Sequence, residues 1–164
     1  MRNDIKQFTS ARPLPDMAAT ETLGAQIAAG LAPGEAVALE GDLGAGKTAL
    51  ARAILRALGV MGAVPSPTFT LVQHYETPAL RVSHYDLYRI EAPEELDELG
   101  LDESLSEGAA LIEWPERAAG RLPADALRVR LEAAGDDARM ATLTGPLRWQ
   151  GRFAEPAPER TDVR

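Results

Sequence analysis

Residues 41–48 read GDLGAGKT, and Gly41, Gly46, Lys47 and Thr48 complete the pattern G-x-x-x-x-G-K-[ST]. Few short motifs demand so much of their surroundings. The loop must leave a buried strand and enter a helix, because its amides and the helix N-terminus have to converge on anionic oxygen. Both flanks comply. AVALE, residues 36–40, is a short apolar run readable as a buried strand. In the following TALARAILRALG, Leu50, Ile54 and Leu58 fall on one helical face with Ala53 and Ala57, and Gly59 is placed to end the helix. The amides of Asp42, Leu43, Gly44, Ala45 and Gly46 would cradle phosphate, Lys47 would reach the β and γ phosphates, and the Thr48 hydroxyl would ligate Mg²⁺. Lys6 and Lys47 are the only lysines among seventeen basic residues, so a lysine at this point of the pattern is informative.

The remainder fits one compact α/β domain, the size expected of 164 residues. Leu23, Ile27 and Leu31 recur at helical spacing, with Asp16 or Thr20 available as the cap. Residues 68–76 and 80–86 are β-rich around TPA, a predicted hairpin. Residues 109–113 form a further buried strand, and 126–133 with 138–145 alternate in period two around GDD, a second hairpin. The domain is expected over 1–149. Residues 150–164 are polar, proline-bearing and aperiodic, which predicts a disordered tail. With no cysteine there is no disulfide framework and no thiolate metal site. No run approaches the ~18 apolar residues of a membrane span, and MRNDIKQFTS shows no signal-peptide character. A soluble, cytoplasmic protein is expected. A net charge of −8 argues against a strong non-specific grip on nucleic acid.

A phosphate loop needs acids to complete its Mg²⁺ site. Glu113 ends the run Ala109–Ile112, and Trp114 and Pro115 stop the strand after it; it reads as the second Mg²⁺ ligand or as an ordinary strand-end acid. Asp86, where LRVSHY turns, reads as a residue that holds Mg²⁺ through water or orients the attacking water, or as a turn aspartate. In VPSPTFTLV, 64–72, two prolines extend Ser66, and the hydroxyls of Ser66, Thr68 and Thr70 suit either a γ-phosphate sensor or a rigid turn. A turn centred near residue 79 would set His74 and His84 opposite each other as a cross-strand pair, with no third ligand for a metal. Residues 91–107 carry eight acids and no base, with Leu96, Leu99, Leu101 and Leu105 giving an apolar side. They read as one or two short helices with either a solvated acidic face or a surface for a basic partner. A GTPase is excluded because neither lysine sits in N/T-K-x-D, and DELG at 97–100 falls in the acidic segment read as helix. A motor ATPase is disfavoured by length. A small-molecule kinase stays open: Arg117 and Arg121 could serve a lid, but no stretch announces an acceptor pocket.

GDLGAGKT, SPTFTLV, HYDLYR, PEELDELG and IEWPER, in this order, closely resemble the TsaE family, the bacterial ATPases of tRNA threonylcarbamoyladenosine biosynthesis. The resemblance runs from LPD at 14–16 to about residue 145; Tyr85 stands where a Phe is common. It implies a P-loop NTPase fold with a mixed central sheet flanked by helices. It implies ATP as ligand, Mg²⁺ held by Thr48 and Glu113, and Asp86 near the phosphates, with Lys47, Asp86 and Glu113 as the catalytic set. Met17, with Asp16 beside it, and Ala138 and Arg139 match the positions that close the adenine side. The implied partner is a TsaB–TsaD heterodimer, with tRNA engaged only through that complex. The implied role is ATP hydrolysis that resets the complex while an adenosine beside the anticodon is modified, in tRNAs reading codons that begin with A. No arginine finger in cis is identifiable, so slow hydrolysis by the lone protein is expected.

Overall fold

A computed structural model describes residues 6–118 and 120–153. Among these residues seven strands form one sheet in the order β1-β7-β6-β2-β5-β4-β3. The middle is parallel: β2 (Ala36–Glu40) lies between β6 (Leu127–Ala133) and β5 (Gly108–Glu113), and β4 (Arg81–Asp86) follows β5. Both margins are antiparallel, with β7 (Arg139–Pro146) and β1 (Gln7–Leu14) on one side and β3 (Val72–Glu76) on the other. The sheet is therefore mixed, as the family resemblance implies.

Period-two alternation divides the core between the faces. Val37 and Leu39 of β2, Val82 of β4 and Leu111 of β5 join one cluster. Leu23 and Ile27 of α1 (Met17–Gly30), Leu50 and Ile54 of α2 (Lys47–Ala57) and Trp149 of α5 (Leu147–Arg152) cover it. Tyr85, Ile112, Leu96 and Leu101 belong to the opposite cluster, under α3 (Glu95–Glu98) and α4 (Leu101–Glu107). Each fully buried Leu or Ile contributes about 1.5–3 kcal/mol. The helix pair α1 and α2 packs closely enough that a Cβ on Gly24 would lie 2.5 Å from that of Ala53. Glycine costs about 1 kcal/mol inside a helix, and here the close approach explains it.

The first hairpin forms with a register one residue away from the predicted one. Gln73, not His74, faces His84, and His74 faces Ser83, bonding it through Nδ1 at 2.7 Å. The turn runs from Thr77 to Leu80 and is centred between residues 78 and 79, so the two histidines sit on opposite faces. The strand also starts later than 68, since Leu71 N–H bonds Pro67 O at 2.8 Å and Leu71 takes φ 67. Strand β1 was not expected: it lacks alternation and carries Pro13, which an edge strand tolerates. Helix α5 crosses the expected domain end at 149; residues 154–164 of the expected tail lie outside the described residues. Among the described residues no helix is long and apolar enough to cross a membrane.

Candidate phosphate-binding site

The loop 41–46 leaves the C-terminal end of β2 and delivers its last residue, Gly46, as the cap of α2 at φ 104. Gly41 takes φ 145, and a Cβ there would lie 2.6 Å from Leu131 O of β6, so the loop's first glycine is fixed by backbone approach. Lys47 is buried. Its Nζ donates to the carbonyls of Gly41, at short range, and Asp42, at 3.1 Å, and lies 3.7 Å from the ring centroid of Trp114. Burial pushes the Lys47 ammonium below its ordinary pKa, opposed by the charges of Glu113, Glu116, Asp86 and Asp42.

Parallel pairing of β4 with β5 sets Asp86 directly beside Glu113 at the strands' C-terminal ends. Thr48 Oγ1 donates to Glu113 Oε1 at 2.8 Å. Asp86 Oδ2 accepts from Ser66 and Thr68 at 3.4 Å each, while Oδ1 accepts the Tyr88 amide at 3.0 Å. The segment 64–70 is thus tethered to one of the two site carboxylates. Lys47, Thr48, Ser66, Thr68, Asp86, Glu113 and Trp114 line a common cavity of about 250 Å³ with the loop glycines Gly44 and Gly46. Leu43 and Asp42 line its neighbour, about 490 Å³, between the loop and the end of β6. Among the described residues no cluster of three His, Asp or Glu side chains stands ready to hold a metal alone. One hydroxyl and two buried carboxylates fit Mg²⁺, which keeps water and phosphate oxygens among its six ligands.

A third cavity, about 130 Å³, opens on the other side of the loop. Met17, Asp16 and Arg139 line it, along with Thr20, Leu131 and Asp137. Ala138 does not; its carbonyl accepts Arg139 Nη1 at 2.9 Å instead. Asp16 caps α1, accepting the Ala19 amide at 2.9 Å. Arg139 also donates to Ala45 O at 3.0 Å and Gly44 O at 3.3 Å, bracing the phosphate loop from β7. Two contacts escaped the sequence. Trp114, at φ 58, turns its ring over Lys47, and His84 bonds Glu113 from beneath. The first had a signal in its adjacency to Glu113; the second had one in its period-two spacing from Asp86.

A strand, a glycine loop cradling a buried lysine, a helix, and paired acids at the ends of neighbouring parallel strands define a P-loop nucleotide-binding protein of the NTPase type. Within that class the sequence is specific. The family model described as "Threonylcarbamoyl adenosine biosynthesis protein TsaE" matches residues 14–141, and the chain belongs to this TsaE family. It is 43% identical over 126 residues to the tRNA threonylcarbamoyladenosine biosynthesis protein TsaE of Rickettsia bellii, covering 76% of this chain and 88% of that one. It is 40% identical to the Bacillus subtilis protein of the same name, over 76% and 78% of the two chains. The crystal structure of Bacillus subtilis YdiB superposes with a TM-score of 0.73 at 31% identity, covering 92% of this chain and 94% of that one.

Proposed function

We propose that the chain is an ATP-binding, Mg²⁺-dependent ATPase that serves as an accessory subunit in tRNA threonylcarbamoyladenosine modification. The observation that carries the ATPase reading is the convergence of Lys47, Thr48, Glu113 and Asp86 on one cavity at the P-loop. The amides of residues 42–46 and the start of α2 bind the phosphates. Lys47 leaves the carbonyls of Gly41 and Asp42 for the β and γ phosphates, exchanging neutral acceptors for charged ones. Thr48 and Glu113 hold the metal, and Asp86 orients the attacking water. Mg²⁺, when bound, neutralises phosphate charge and polarises the γ-phosphoryl group. Met17 and Arg139, with Ala138 through its backbone, close the adenine side.

Among the described residues Lys47 is the one basic side chain lining the phosphate cavity. Transition-state charge on the γ-phosphate therefore calls for a cation from elsewhere, which supports slow hydrolysis alone and stimulation by a partner. The partner is a TsaB–TsaD heterodimer in the cytoplasm, and tRNA is reached through it. Ser66 and Thr68, tied to Asp86, couple the nucleotide's state to the segment 64–72, so that hydrolysis relaxes a docking surface and resets the complex.

Lys47→Ala is expected to abolish nucleotide-dependent phosphate release. Asp86→Ala and Glu113→Ala are expected to lower Mg²⁺-dependent release by about 100-fold or more, measured as released phosphate under saturating ATP. Normal hydrolysis by Lys47→Ala would refute the P-loop reading. Label from γ-phosphate appearing on anything other than water would identify a kinase instead.

A further inference from the structure

Strand β4 turns Val82, His84 and Asp86 to the face that α2 covers, and β5 turns Glu113 to the same face. The His84 ring is wholly buried. Its Nε2 lies 2.6 Å from Glu113 Oε2, while Glu113 Oε1 accepts the Thr48 hydroxyl at 2.8 Å. A carboxylate can only accept, so Nε2 carries the proton and donates. Among the described residues the other ring nitrogen, Nδ1, is buried with no hydrogen-bond partner. A core position filled for packing alone takes an apolar side chain and leaves no polar atom stranded. The ring stands here with its one hydrogen bond spent on Glu113.

We infer that His84 is a positioning residue: it occupies Glu113 Oε2 so that the carboxylate presents Oε1 alone toward Thr48 and the metal. This rests on the Mg²⁺ site proposed above. The consequence is selective. Mg²⁺ demands near-octahedral, single-oxygen carboxylate ligation, whereas Ca²⁺ accepts both oxygens of one carboxylate at longer range. A glutamate freed to rotate or to offer both oxygens loses Mg²⁺ more than Ca²⁺.

The test titrates Mg²⁺, and separately Ca²⁺, against the full chain with a non-hydrolysable ATP analogue, using calorimetry, for wild type, His84→Gln and His84→Leu. Glutamine can place an amide N–H near the position of Nε2; leucine fills space without a donor. The Mg²⁺ half-saturation point of His84→Leu should rise about 10- to 100-fold, with His84→Gln restoring most of the loss and metal-free analogue binding unchanged. The Ca²⁺ midpoint should move less. Leucine and glutamine variants that both match wild type would overturn the inference while leaving the metal site standing. A wild type whose analogue binding ignores Mg²⁺ would bring down the metal site itself, and the inference with it. Should the leucine variant fail to fold, imidazole NMR of wild type decides. The His84 Nε2–H resonance should be protected from exchange and shift when Mg²⁺ joins the bound analogue; an exchanging, unresponsive resonance would refute the role.

Discussion

Lys47 is held by the same loop it is proposed to serve. Two carbonyls and the Trp114 ring hold its ammonium, and burial lowers its pKa against the pull of four carboxylates. The sign of the resulting pH dependence follows. Bound polyphosphate favours the charged lysine, so its pKa is higher in the complex than in the free protein. Binding then takes up a proton once the free protein begins to lose it, below the ordinary lysine value of about 10.4. Affinity for ATP should fall as pH rises through that alkaline range, and calorimetry in buffers of different ionisation enthalpy should detect proton uptake there. A flat profile would mean Lys47 keeps its proton throughout. At this scale the sequence was most legible where chemistry is written in consecutive residues: Gly41 to Thr48, and Glu113 before its stop signals. Trp114 over Lys47 and His84 beneath Glu113 join parts of the chain far apart in sequence: adjacency to Glu113 and period-two spacing from Asp86 mark the two residues, and only the fold shows what they touch.

At the scale of elements, Tyr85 shows how the acidic segment is fastened. Its hydroxyl bonds Ser104 at 2.7 Å and Leu99 O at 3.2 Å, tying α4 and the end of α3 to β4 one residue before Asp86. Tyr85→Phe should cost about 1 kcal/mol of unfolding free energy, read as a lower denaturant midpoint, with nucleotide affinity unchanged. Burial raises the Tyr85 pKa, partly offset by the Ser104 hydrogen bond. The folded-state value lies above the unfolded one, so this contribution is complete below about pH 10 and is lost as pH rises beyond it. The wild-type and Tyr85→Phe stability curves should therefore differ in slope only in that alkaline range. Elements with strong periodicity, such as α2, or with continuous apolar runs, such as β2 and β5, were readable. Strand β1 was not: an edge position asks for no alternation and permits Pro13, so its pairing with β7 leaves little trace in the sequence. The first hairpin was read correctly as a hairpin and wrongly in register, because a half-residue shift in the turn's centre moves every cross-strand partner.

At the scale of the whole molecule, the proposed nucleotide site lies where the ends of parallel strands, the loop and the tethered segment 64–70 meet. A chain of net charge −8 is ill suited to grip tRNA by itself. A nucleotide-dependent accessory of the kind proposed would need only to recognise protein partners, and the absence of a second basic side chain in the phosphate cavity, among the described residues, leaves room for one supplied by a partner. The most direct test is ATP turnover by the purified protein, alone and with a TsaB–TsaD heterodimer. Phosphate release should be slow alone, rise at least tenfold with the partners, as expected when a missing transition-state cation is supplied, and vanish in Lys47→Ala. Release that proceeds at the same rate with and without the heterodimer would contradict a partner-gated ATPase.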